Sequence, residues 1–225
     1  MSNSAGPKII RDLSLILNLD AANKKSYIGT GSTWTDLSKN KFNGTLINSP
    51  QFSSNNSGYL SFLPSSSQYA RSSNFSYVGN TISTCVWIYR SASLSAYAGI
   101  VYSRLSTQFY GIHAHGTNTN NLSYTWTGTT SYTWDSGIII PLQSWTHVSL
   151  VINSTNAYYY INGVLTASNT LAHGSASLTA IDIGQDNVGS RFFNGNIASC
   201  QIYNRALTST EVYNNFVANR GRFGV

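Results

Sequence analysis

Apolar and polar residues alternate along most of this chain. The alternation is clearest over residues 145–165, WTHVSLVINSTNAYYYINGVL. Val148, Leu150 and Ile152 interleave with His147, Ser149 and Val151, a period of two that predicts a strand with one buried face. Residues 153–156 supply turn chemistry, and residues 157–161 predict a second strand rich in tyrosine. Asn162-Gly163 fits a two-residue hairpin turn in which both residues take positive φ, so the chain from Val164 is expected to fold straight back. Three such strands make a meander, which needs a second layer to bury its apolar face.

The same patterning predicts strands at residues 13–19, 45–48, 59–63, 69–71, 81–90, 100–104, 110–115, 122–126, 132–140, 178–184 and 197–203. Residues 27–38 form a Gly-rich loop pinned by Trp34. A helix is expected only over residues 208–217. There Thr208 and Glu211 have capping-box spacing, and Val212, Tyr213, Phe216 and Val217 give a packed face. With no repeat, linker or composition break in 225 residues, the expected organisation is one domain, 10–225, after a polar arm, 1–9.

A hydrophobic share of 41% supports a real core, while charged residues make up only 9%, so Ser, Thr and Asn must carry solubility. That suits an extracellular or virion-surface protein. The net charge of +6 reflects few acids (7) against 13 bases. Those bases are scattered, which argues against a nucleic-acid face. Cys85 and Cys200 read as two buried free thiols or as one disulfide; no spacing pattern marks a framework, which favours thiols. The apolar run 13–19 is short and holds Asn18, so it reads as a strand rather than a signal. No run approaches a membrane span. Export would then proceed by lysis, assembly or another non-classical route.

Four stretches together are distinctive: LNLDAAN (17–23), TWTDLSKNKFNGTL (33–46), WTHVSLVIN with AYYYINGVL (145–165), and IGQDN with RFFNGNIASCQIYNRALTSTEV (183–212). In this order, over residues 10–218, the chain resembles the laminin-G-like, concanavalin A-like lectin/glucanase superfamily. The resemblance implies an all-β fold, a two-sheet antiparallel jelly-roll sandwich with one concave and one convex sheet and one short C-terminal helix. Residues 219–225 resemble endings of this domain in bacteriophage and environmental-virus structural proteins. This implies a non-catalytic carbohydrate- or receptor-binding domain on a virion surface, as a capsid decoration or tail-fibre protein in multimeric display. Its partners would be a glycan or host receptor and other virion proteins. The alternatives are a purely structural assembly or decoration protein and, third, a glycoside hydrolase.

Hydrolysis in its common form needs two carboxylates about 5–10 Å apart. The acids are Asp12, Asp20, Asp36, Asp135, Asp182, Asp186 and Glu211. They include no Glu/Asp/Glu cluster on one strand of the glucanase kind, so no catalytic residue is expected. Calcium binding in relatives implies acids that residues 62–69 and Ala198-Ser199 lack. Asp20 with Asn23, or Asp182 or Asp186 with Asn187, remain as calcium candidates, with no cofactor the leading expectation. His113 and His115 share a strand face but lack a third zinc ligand; His147 and His173 read as sheet or loop residues. For sugar binding, Tyr110, His113, His115, Tyr124, Trp126, Tyr132, Trp134 and Asp135 come from three consecutive strand regions. Asp186, Asn187 and Arg191 sit in a loop, where binding residues commonly lie. The competing reading for every ring is core burial, which Trp87 and Trp145 are expected to show.

Overall fold

Two antiparallel sheets face each other across the apolar interior in a computed structural model that describes residues 8–104, 108–189 and 191–225. In chain order the strands are β1 (Leu15–Asp20), β2 (Thr33–Trp34), β3 (Gly44–Ile47), β4 (Gln51–Ser53), β5 (Tyr59–Phe62), β6 (Tyr69–Ser72), β7 (Tyr77–Gly79), β8 (Ile82–Arg90), β9 (Gly99–Ser103), β10 (Tyr110–Ala114), β11 (Leu122–Trp126), β12 (Trp145–Ile152), β13 (Asn156–Ile161), β14 (Val164–Thr170), β15 (Ala176–Leu178), β16 (Ile181–Ile183) and β17 (Gly195–Tyr203); helix α1 (Ser209–Arg220) follows. One sheet runs β14-β13-β12-β8-β17-β5-β4, with β1 also on β17. The other runs β11-β10-β9-β16-β6-β3-β2, and β15 and β7 form a separate pair.

Register explains the core. In the second sheet Tyr124, Ile112, Val101, Ile183, Ala70 and Leu46 are aligned across six strands. All six belong to the main core, which Val86, Ile88, Val148, Leu150, Tyr159 and Ile202 complete from the first sheet. Side chains alternate faces along a strand, so neighbours of the aligned residues point outward.

The central strands of the first sheet, β12, β8 and β17, are buried on both faces. The far side of this sheet carries α1 and the C-terminal segment, with Cys85, Val151, Tyr203, Leu207 and Val212 in one cluster and Trp87, Trp145, Ala198, Phe216 and Phe223 in another. Every residue of β12 is therefore buried, which corrects the one-face expectation. His147 lies in this second layer, with ring centroids 5.2 Å from Trp87 and 6.0 Å from Phe216. Among the described residues, neither of its ring nitrogens has a hydrogen-bond partner.

Local signals explain several element ends. Thr208 caps α1: its Oγ1 accepts from the Glu211 N–H at 3.3 Å, and Glu211 Oε2 accepts from the Thr208 N–H at 2.9 Å. Arg205 grips the same carboxylate, and burial of Val212 and Phe216 seats the helix. Tyr213, expected in the packed face, is instead 48% exposed, because the register of the helix buries Asn215 in its place. Asn162 and Gly163 take φ of 49° and 81°, the hairpin turn expected of them.

The cysteines point to opposite faces of the first sheet. Cys85 is aligned with Gln201, and Cys200 with Val86. Both thiols are free, and burial pushes the Cys85 thiol up to about 11. In the C-terminal segment, Phe223 stacks on Trp87 at 4.2 Å, and Arg222 donates to Asp20 Oδ1 at 3.0 Å.

Two strand expectations fail. Residues 132–140 form no strand: Ser131–Thr133 is a 3-10 turn, and Ile139 makes a single bridge to Asn121. The alternation there is real, since Ile138 and Ile140 are buried and Ile139 is 63% exposed. The segment plugs the sandwich edge, and Gly137 at φ 70° breaks its extension. Residues 178–184 divide into β15 and β16, because the chain leaves the β7 pair to enter the second sheet. Residues 1–7 of the expected polar arm lie outside the described residues.

Candidate functional site

The outward-facing residues of the second sheet form one continuous cross-strand row: Thr125, Gly111, Tyr102, Asp182, Arg71, Thr45 and Thr33. It is polar where the adjoining inward row is apolar. Arg71 forks onto Asp182 with bonds of 2.6 and 2.7 Å, and Gln185 Nε2 donates to the same carboxylate at 2.9 Å. The ring of Tyr102 lies across Gly111, where a Cβ would overlap it.

At the β9–β11 end of this row opens a groove of about 870 Å³. Tyr97, Tyr102, Arg104, Phe109, Thr125 and Tyr132 line it, together with the edge of Trp126, the 128–130 turn, Leu171, Ala172 and Arg191. Its charged lining residues, Arg104 and Arg191, are both anchored on Asp186, which is 0% exposed. Arg104 Nε and Nη2 donate to Asp186 at 2.6 and 3.2 Å, and Arg191 Nη1 donates at 2.9 Å. Rings back both guanidiniums: Arg104 sits 4.7 Å from the Phe109 centroid and 5.0 Å from that of Tyr102, and Arg191 sits 4.6 Å from that of Tyr97. Gly99 makes the arrangement feasible, since a Cβ there would overlap the Gln185–Asp186 backbone. The N–H groups of Gly99 and Asp186 both donate to the Arg191 carbonyl at 3.0 Å.

Beneath the groove His113 is buried, its Nε2 paired with Thr125 Oγ1 and its Nδ1 with the Ala114 carbonyl, each at 2.9 Å. Burial lowers its pKa to about 4, so it is neutral at neutral pH. The Arg104 guanidinium also donates to the Tyr102 hydroxyl at 2.7 Å. Burial, helped by the Asp186 charge, raises that hydroxyl to about 12.

The sequence candidates separate into four groups. Tyr110, Tyr124 and Trp126 take the inward positions of β10 and β11 and are 0% exposed, so none offers a ring face to a ligand. The Tyr110 hydroxyl bonds Thr84 Oγ1 at 2.6 Å, Tyr124 bonds His173 at 3.1 Å, and Trp126 Nε1 donates to the Gly174 carbonyl at 2.9 Å. His113 points outward but lies below the surface. His115, Trp134 and Asp135 gather elsewhere, at the β10–β11 turn: Asp135 accepts from Asn118 and Asn121, His115 Nδ1 lies 3.9 Å from it, and Trp134 stacks on Tyr159. Arg191 reaches the groove, Tyr132 lines it with 43% exposure, and Asn187 is exposed on the Asp186 loop.

Sequence reasoning missed Tyr97, Tyr102, Arg104 and Phe109. A signal was present: residues 37–134 contain no Asp or Glu, and Arg104 sits between aromatic residues.

A family model for the concanavalin A-like lectin/glucanases superfamily matches residues 64–213. The chain belongs to this superfamily. A comparison with curated proteins gave no match. Among solved structures, domain 4 of AbnA, an extracellular GH43 arabinanase from Geobacillus stearothermophilus, is similar, with TM-score 0.68, 17% identity, and coverage of 91% of this chain and 98% of that one. The botulinum neurotoxin serotype G binding domain gives 0.67 and 17%, covering 90% of this chain and 50% of that one. Trypanosoma rangeli sialidase gives 0.67 and 12%, covering 94% and 34%. At these identities the likeness shows the fold alone, a lectin-like sandwich that occurs in binding domains and within glycoside hydrolases alike.

The superfamily raises the question of calcium, and the residues do not fit it. Asp20 accepts from Arg222, Asp182 from Arg71, and Asp186 from two arginines. A cation at any of them would first have to displace a guanidinium. Among the described residues, no three His, Cys, Asp or Glu side chains come together as a metal site, and no helix is long and apolar enough to cross a membrane.

Proposed function

We propose that this lectin-like domain binds carbohydrate without hydrolysing it, through the groove at the β9–β11 end of the second sheet. The observation that carries this is the convergence of partly exposed rings, Tyr97, Phe109 and Tyr132, with guanidinium and hydroxyl donors around one cleft. A few fixed polar groups set among apolar walls are the usual form of a small-ligand site. Sugars offer C–H faces to such rings and hydroxyls to such donors.

The non-catalytic part rests on the placement of the carboxylates. Asp186, beside the groove, is fully buried under two arginines. Asp182 is forked by Arg71, and Glu211 caps α1. Two-carboxylate hydrolysis needs an acid and a base or nucleophile free to face the scissile bond from about 5–10 Å apart. Display on a virion surface, in many copies that raise weak single-site affinity, is part of the same proposal. It is supported by the low charge content and the resemblance of the C-terminal segment. Binding to other virion proteins belongs with it.

A glycan array tests the proposal with the wild-type chain and Tyr132→Ala, a change at a ring that is 43% exposed. Specific binding is expected, weakened roughly tenfold in the variant, the loss of one stacked ring worth about 1 kcal/mol or more. Silence across a broad array, or binding indifferent to Tyr132, would contradict it.

A further inference from the structure

We infer that the groove selects an acidic saccharide, one carrying a carboxylate or sulfate; this rests on the carbohydrate-binding reading of the same groove. The reason is an imbalance of charge. Asp182 has one arginine and a neutral glutamine, so its cluster is formally neutral. Asp186 has two arginines, which leaves a formal charge of +1. The carboxylate is 0% exposed, whereas the Arg104 and Arg191 side chains remain 23% and 29% exposed. The surplus charge is therefore the part that faces the groove.

Among the described residues, no other charged group in the lining offsets it. Arg104 and Arg191 are the charged residues among those lining the groove, and His113 below is neutral at pH 7. Residues 37–134, which supply most of the walls, contain no acid.

Among the described residues, donor capacity also remains. A guanidinium carries five N–H groups. Asp186 and Tyr102 occupy Nε and Nη2 of Arg104, and Asp186 occupies Nη1 of Arg191. Two ring-backed guanidiniums, locked by a shared buried anion, are pre-organised for an oxyanion. A neutral sugar would use the rings and hydroxyls but would gain little from the paired cations.

The test uses the full chain and matched saccharide pairs: uronic- and sialic-acid oligosaccharides as free acids and as their neutral methyl esters, with sulfated oligosaccharides as a separate arm. Three variants accompany the wild type. Arg191→Gln removes one groove cation, and Arg191→Lys keeps the charge without the fork. Lys24→Gln removes an equal charge from an exposed site outside the groove. At least one free acid is expected to bind about tenfold or more tightly than its ester, as a charge-assisted hydrogen bond allows. That preference should vanish in Arg191→Gln, fall in Arg191→Lys and persist in Lys24→Gln. If sulfated ligands alone show it, with the same dependence on Arg191, the oxyanion is a sulfate. Equal binding of acid and ester overturns the inference and leaves carbohydrate binding standing. So does an acid preference lost equally in Lys24→Gln and Arg191→Gln, which would mark non-specific attraction to a basic protein. No binding of any member overturns both readings.

Discussion

Acidification from pH 7.5 to about 4.5 is expected to cost the fold several kcal/mol, through histidines held neutral inside it. Burial alone lowers His147 to about 3. His113 is lowered to about 4 by burial, despite hydrogen bonds that favour its charged form. The unfolded chain takes up these protons near pH 6.5, and the folded chain does not. Stability is therefore complete above the unfolded value and falls as pH drops from about 6.5 toward the folded values. A tenfold loss of proton affinity on folding is worth about 1.4 kcal/mol, so each histidine withdraws on the order of 2–3 kcal/mol by pH 4.5. Against a typical total of about 5–15 kcal/mol, that is a large share. His147→Phe keeps a ring between Trp87 and Phe216 and removes two buried nitrogens that have no partner among the described residues. The variant should match or exceed the wild-type melting point at pH 7.5 and exceed it by roughly 5–10 °C at pH 4.5, on the usual scaling for a domain of this size. A wild-type midpoint that ignores pH, or a variant as acid-labile as the wild type, would show that His147 is not the sensitive group.

Asp36→Ala should be among the most damaging single substitutions. The carboxylate is 0% exposed and ties the Gly-rich loop to β1. It accepts from the N–H groups of Asn18, Ser38 and Phe42, each at 2.8 Å, and from Ser38 Oγ at 2.6 Å. Asn43 Oδ1 in turn accepts from the Asp36 N–H at 3.0 Å. Alanine would strand three backbone donors, and a buried donor without a partner costs about 1–3 kcal/mol. A total near 4 kcal/mol, or roughly 8–16 °C in thermal midpoint, is expected. Asp36→Asn retains one acceptor oxygen and should lose about half as much. Thermal unfolding of both variants checks this; a loss below about 1 kcal/mol for the alanine change would remove Asp36 from this role.

That network shows how the sequence encodes the fold. The TWTDLSKNKFNG stretch supports the family resemblance, and the structure gives it a physical content: one carboxylate organising a loop. The strands were legible wherever alternation and backbone pairing agree, as in β11, β13 and the Asn162-Gly163 hairpin. They were not legible where burial alternates without pairing, as in residues 138–140, since periodicity reports on side chains and not on hydrogen bonds. The one-face reading of β12 failed because α1, distant in sequence, covers its other face.

The site was harder to read for the same reason. A period of two says that Tyr124 shares a face with Trp126, but not whether Tyr110 on the next strand joins them or whether that face is the core. Register answers this by aligning Tyr124 with Ile112 and Val101 in the apolar row. Arg104 and Arg191 lie far apart in the chain, and the close backbone approach permitted by Gly99 lets both reach Asp186.

The location of a bound sugar tests this account most directly. The 15N-labelled chain can be titrated with the tightest-binding saccharide from the array while its backbone amide shifts are followed. Shifts should concentrate on Tyr97, Tyr102, Arg104, Thr125 and Arg191. Shifts confined to α1 and the C-terminal segment, or to the His115–Asp135 cluster, would place the ligand elsewhere and contradict the assignment of the groove.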